Sequence, residues 1–196
     1  MFELVCVTNR ALCGDDFAAR LAALAAAGVD KIILREKDLP EGEYIALARQ
    51  ALAAAGDRLV LHSFPAACVA LGAPRLHVPL HQLEAQPGLR GEVDLLGVSV
   101  HAPEEAARAA SLGADYVTAG HVFATGCKRG LPGRGLDFLR ATVQAAAIPV
   151  YAIGGIAADN LSAVRETGAA GACLMSGFMR CEDVKAEVER LRSVPI

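Results

Sequence analysis

Eight short apolar runs, each separated from the next by a longer amphipathic or alanine-rich stretch, restrict the fold of this 196-residue chain more than any other feature. The runs are Glu3–Val7, Lys31–Arg35, Leu59–His62, Leu76–Val78, Leu95–Ser99, Tyr116–Ala119, Pro149–Ala152 and Gly171–Met175. Between them, helices are expected over Phe17–Ala27, Glu43–Ala55, Ala66–Leu71, Pro103–Leu112, Leu136–Ala146, Asn160–Glu166 and Val184–Leu191. Pro87–Gly88 keeps any helix within Leu80–Val93 short. Strands separated by helices in this way belong to a parallel sheet covered on both faces. Eight repeats fit a closed (β/α)8 barrel better than an open doubly wound sheet. Such barrels typically take ~250 residues, so a compact single domain over 1–196 with short loops is expected.

Local signals agree. AAGVDK, SLGADY and TGAAGA each place a glycine after a helical stretch and before a strand. Glycine there ends a helix in the left-handed conformation at low steric cost. Pro103 opens a helix at its first turn, and Glu104 and Glu105 complement the positive end of its dipole.

Composition excludes several classes. Hydrophobic residues make up 54% of the chain, much of it alanine, yet no apolar run reaches the ~20 residues of a membrane span. The opening MFELVCVTNR has neither a basic n-region nor a small-residue cleavage site, so a cytoplasmic protein is expected. A net charge of -3 without a basic stripe argues against nucleic acid as a partner. The six cysteines form no CxxC pair and read as free thiols. Cys6, Cys68 and Cys173 sit among apolar neighbours as small hydrophobes, whereas Cys127 lies in a polar loop.

In a barrel, chemistry collects where the strands end. The residues there are Thr8 and Arg10, Arg35 and Lys37, His62, His77 and His81, Ser99 and His101, His121, Gly154 and Gly155, and Ser176 and Gly177. The loops IGGI at 153–156 and MSG at 175–177 offer backbone amides after the last two strands, where barrels recurrently bind phosphate. Tight turns alone would also account for those glycines. Arg35-Glu36-Lys37 can clamp a carboxylate or phosphate, although on spacing alone a solvated charge cluster is the simpler reading. His121 stands in GHVFATGCKRG, followed by Lys128, and an imidazole accepts and returns protons near neutrality. Metal ligands are sparse: HSFPAA and HVPLHQLE hold no aspartate, and Pro79 interrupts the His77/His81 pair. No metal or other cofactor is expected.

At these residues the chain resembles the thiamine phosphate synthase/TenI superfamily of compact barrels over nearly its whole length. The segments that carry the resemblance are LVCVTNR, ILREKD, GVSVH, GADYVTAGHVFATGCKRG, IPVYAIGGI and GACLMSGF. Synthases of this superfamily use magnesium and typically carry an Asn-Asp-Arg-like motif after the third strand and an acidic loop after the fourth. Here those places read Leu61-His62-Ser63-Phe64 and Val78-Pro79-Leu80-His81. Synthases also usually place proline after glycine where this chain has His121. GHVF-x-T-x-C-K-(K/R)-G and MSGF are similar to the TenI branch, the thiazole tautomerases.

The resemblance implies a metal-independent isomerase that aromatises a carboxythiazole phosphate tautomer, with His121 as general base and acid. It implies a phosphate site at Gly154, Gly155, Ser176 and Gly177, and carboxylate contacts from Arg35, Lys37 and Lys128. Ser99, Thr125, Cys127 and His62 are further pocket candidates without an assigned step. The partner is then a small phosphorylated thiazole, and a homodimer is compatible with superfamily habit. A divergent synthase, joining hydroxymethylpyrimidine diphosphate to thiazole phosphate, and a non-catalytic regulatory homologue are the alternatives.

Overall fold

Successive side chains of a strand point to opposite faces, and in this chain both faces are largely apolar. In β1 (Glu3–Val7), Leu4 and Cys6 join a large cluster beneath the helices, while Val5 and Val7 join a smaller cluster with Ile33, Val60 and Cys173. A closed barrel is what separates two such clusters, one outside the sheet and one inside it.

The computed structural model describes residues 1–14, 16–126 and 130–195. β1, β2 (Lys31–Leu34), β3 (Leu59–His62), β4 (Arg75–Pro79), β5 (Leu95–Val100), β6 (Tyr116–Gly120), β7 (Val150–Ile153) and β8 (Gly171–Leu174) pair in chain order, and β8 closes onto β1. Every pairing is parallel. The helices are α1 (Phe17–Ala26), α2 (Glu41–Ala55), α3 (Pro65–Leu71), α4 (Leu80–Ala85), α5 (Pro103–Ser111), α6 (Gly135–Ala145), α7 (Leu161–Arg165), α8 (Ser176–Arg180) and α9 (Val184–Arg192). The expected (β/α)8 barrel is therefore present. None of the helices described is long and apolar enough to cross a membrane.

The element ends have local causes. Asp16 caps α1 by accepting from the amides of Ala18 and Ala19 at 2.9 and 3.2 Å. Pro65 and Pro103 open α3 and α5. β2 stops at Leu34, one residue short of expectation, because the Arg35 amide donates to the Thr8 hydroxyl at 3.0 Å. α8 was not anticipated from sequence. Its five residues are too few to show a period, and Met175, read as the strand's end, is instead its N-cap.

Inside the barrel runs a polar column. Near the strand N-termini, Glu3 accepts from Lys31 and from the Tyr151 hydroxyl, the latter at 2.8 Å. Further up, the buried imidazole of His77 meets Tyr116 Oη through Nδ1 at 3.1 Å and Ser99 Oγ through Nε2 at 2.8 Å. Gly97 makes room for this pair: a β-carbon there would lie 2.1 Å from Tyr116 Cζ and 2.4 Å from His77 Nδ1. Burial, with the coupled His62 ring and the Arg35 charge nearby, holds the His77 ring well below the usual histidine range. It is therefore neutral in the folded protein.

Candidate active site

A cavity of about 270 Å³ opens at the C-terminal mouth of the barrel, and every strand or the loop after it contributes to the wall. A wider depression of about 690 Å³ lies outside the barrel between α1 and α9. It is faced by Ala19, Ala23 and Ala26 and by helix-capping or surface charges, and no strand end reaches it. Convergent polar groups at the strand ends mark the mouth cavity as the site.

The β2 side of the cavity is positive. Arg35 and Lys37 stand on its wall, whereas Glu36 between them turns away and is 3% exposed. The Glu36 carboxylate accepts from Thr8 Oγ1 at 2.6 Å and from the Arg10 amide and guanidinium, each at 3.1 Å. Arg10 is also paired with Asp38. Thr8 and Arg10, candidates from their position after the first strand, are thus tied up in this network and lie off the cavity wall. The Arg35 guanidinium makes no ion pair among the described residues.

His62 reaches the wall from β3, 5% exposed, with Nδ1 2.7 Å from Ser63 Oγ. Burial, reinforced by Arg35 and Lys37, pushes its pKa down to about 3, so it meets a ligand as a neutral imidazole. His77 stays inside the barrel, and His81 is exposed on α4 and off the wall. The His77/His81 pair is therefore not a metal site. Ser99 and Thr118 bring hydroxyls to the floor, 3.3 Å apart. Thr118 was not singled out from sequence, since one hydroxyl within an apolar strand gives no signal before the barrel closes.

His121 follows β6. The β6 and β7 loops continue the sheet pairing past the strand ends, with Val122 N donating to Ile153 O at 2.9 Å and Phe123 N to Gly154 O at 3.0 Å. That lays His121 directly over Gly154. His121 is among the residues that line the cavity, and its Nε2 is buried with no hydrogen-bond partner among the described residues. A buried ring nitrogen without a partner costs ~1–3 kcal/mol. Next to it, His101 Nδ1 lies 2.9 Å from Gly120 O.

Gly154, Gly155 and Ser176 line the β7–β8 side of the cavity with Met175 and Ile156. Ser176 opens α8, where first-turn amides have no intrahelical acceptor. Gly177 is not on the wall and faces Leu174 instead. Thr125 and Ser99 line the cavity. Cys127 and Lys128 lie outside the described residues. The arrangement is suited to holding a small anion at two ends while imidazole groups face its middle.

Fold and site together define a (β/α)8 barrel with a small-molecule cavity at its strand C-termini. The family described as thiamine monophosphate synthase matches residues 4–178, and the chain belongs to this TMP-TENI family. It is similar to a thiamine-phosphate synthase of Syntrophomonas wolfei, 32% identical over 98% of this chain and 96% of the relative. It is also similar to one of Moorella thermoacetica, 38% identical over 86% and 83%. Among solved structures, a thiamine phosphate pyrophosphorylase of Pyrococcus furiosus superposes with a TM-score of 0.82 at 28% identity, covering 98% of this chain and 95% of that one. A 3-hexulose-6-phosphate synthase shares the fold, with a TM-score of 0.72 at 19% identity over the full length of both chains.

Proposed function

We propose that this protein is an enzyme of thiamine biosynthesis whose cavity aromatises a carboxythiazole phosphate tautomer by moving one proton. The observation that carries the reading is His121 among the residues of the cavity wall, its buried Nε2 without a hydrogen-bond partner among the described residues. The phosphate is held by backbone amides at Gly154, Gly155 and the first turn of α8, beginning at Ser176. Arg35 and Lys37 face the carboxylate. The C–H bond at the ring carbon bearing the carboxylate breaks, and its proton goes to His121 Nε2. The electron pair enters the ring, and the exocyclic double bond is consumed as its carbon takes up a proton. General acid–base catalysis of this kind supplies ~10²–10⁴-fold in rate.

The donor set does not fit a magnesium ion. A hard cation needs oxygen ligands, and no Asp or Glu stands on the cavity wall among the described residues. Where synthases carry acidic motifs, the wall has His62 and Pro79. The names of the relatives back a second reading, a thiamine phosphate synthase, better than the isomerase. One experiment separates the two. The purified protein is given the tautomer in the presence of a chelator, and, separately, both synthase substrates with magnesium. Aromatisation under chelation that falls at least ~10²-fold in His121→Gln supports the isomerase. Magnesium-dependent release of diphosphate without aromatisation replaces it with the synthase.

A further inference from the structure

We propose that His101 is the second proton-transfer residue of this site, the acid that protonates the exocyclic carbon after His121 has taken the ring proton. The inference rests on the isomerase reading and adds a residue and a step to it. A proton removed from one carbon and delivered to another, several bonds away, is handled most directly by two groups on adjacent parts of the wall. His101 and His121 follow neighbouring strands, β5 and β6, and both line the cavity.

The His101 ring is oriented. A backbone carbonyl can only accept, so at 2.9 Å from Gly120 O the Nδ1 atom carries the hydrogen. In the neutral ring Nε2 is then the nitrogen without a hydrogen. Its segment is held as well, because the His101 amide donates to Glu105 Oε2 at 2.6 Å. Gly120, the acceptor, directly precedes His121, so one peptide links the placement of the two rings.

Three other protonatable groups described on the wall are less suited. His62 stays neutral down to about pH 3. The Cys173 thiol is raised far above its usual range, chiefly by burial, and keeps its proton. Arg35 does not release a proton in proteins. In the step, His101 enters as the imidazolium, and its Nε2–H breaks as the new C–H bond forms, leaving the neutral ring with its hydrogen on Nδ1. His121, holding the abstracted proton, and neutral His101 return to their starting states by exchange with solvent.

The test uses the full chain and the tautomer deuterated at the carbon bearing the carboxylate. His101→Asn keeps a side-chain amide in reach of the Gly120 carbonyl but has no Nε2 acid. Product formation is expected to fall ~10²-fold, while deuterium is still lost to water from unreacted substrate, because His121 continues to remove and replace it. His121→Gln is expected to stop both. An undiminished product rate in His101→Asn overturns the proposal. So does joint loss of product and exchange in a variant that still binds the aromatic product, since His101 would then only position the site. Exchange that persists in His121→Gln overturns the base assignment, and no turnover by the unaltered protein removes the isomerase reading itself.

Discussion

A β-carbon on Gly154 would lie 2.4 Å from Cβ of His121 and 2.8 Å from its Cα. Gly154 also has φ of 103°, a region that L side chains rarely adopt. The glycine of the seventh loop therefore seats the histidine of the sixth. From sequence this glycine was a phosphate contact or a tight turn; its packing against His121 is what the structure adds.

Gly154→Ala should accordingly damage catalysis by displacing His121. A shift of about 1 Å in a reacting group lowers rates ~10²-fold, and a loss of that order in kcat is expected. Gly88→Ala, where a β-carbon meets nothing within 4 Å, is the control and should behave as the unaltered protein. Equal kinetics for the two variants would contradict the seating role.

Arg35 supplies positive charge to a wall without a described carboxylate. Hydrogen bonds to charged groups contribute ~1.5–3 kcal/mol, so Arg35→Gln should raise KM for a carboxylated ligand ~10–100-fold. An analogue lacking the carboxylate should be bound almost equally by both proteins. Titration calorimetry with the two ligands checks this, and parallel losses would assign Arg35 to the phosphate instead.

Acid should destabilise the fold through His62 and His77. Both are held neutral in the folded state, so below ~6.5 the unfolded chain binds protons that the folded one does not. Their contribution is complete above that pH and is lost as pH falls through it, continuing for His62 to about 3. Each adds a slope of ~1.4 kcal/mol per pH unit. Urea unfolding between pH 7.5 and 4.5 should show this loss, and His77→Gln should flatten it by about one proton. An unchanged slope would mean that His77 is protonated in the fold.

Gly97→Ala should strain the barrel interior, since the new methyl would overlap the Tyr116 ring. Overpacking costs ~1–3 kcal/mol or more. The double variant Gly97→Ala/Tyr116→Leu should recover part of that loss relative to the sum of the single changes. Strict additivity would place the conflict elsewhere.

Much of this architecture was legible in the residues themselves. Eight apolar runs separated by helical stretches imply a covered parallel sheet, and their number implies closure. Placing His62, Ser99, His121, Gly154 and Ser176 at strand ends was enough to put them at one mouth, because a barrel brings all its strand C-termini together. Boundaries shifted where a side chain intercepted the ladder, as Thr8 does at Arg35. Thr8, Arg10, His77 and Gly177 were equally plausible by position and are not on the wall. Capture of Thr8 and Arg10 by Glu36, the inward place of His77 in mid-strand and the turn of Gly177 into α8 separate them from their neighbours.

The order of apolar and polar residues along the chain thus determined the barrel and the rim on which its chemistry must lie, because burying both faces of a parallel sheet leaves few arrangements. Tertiary structure alone decided which groups face one another: Glu36 draws Arg10 away while Arg35 stays in the cavity, and Gly120 orients His101. These are contacts between elements distant in sequence, and their distances exist only once the strands are in register.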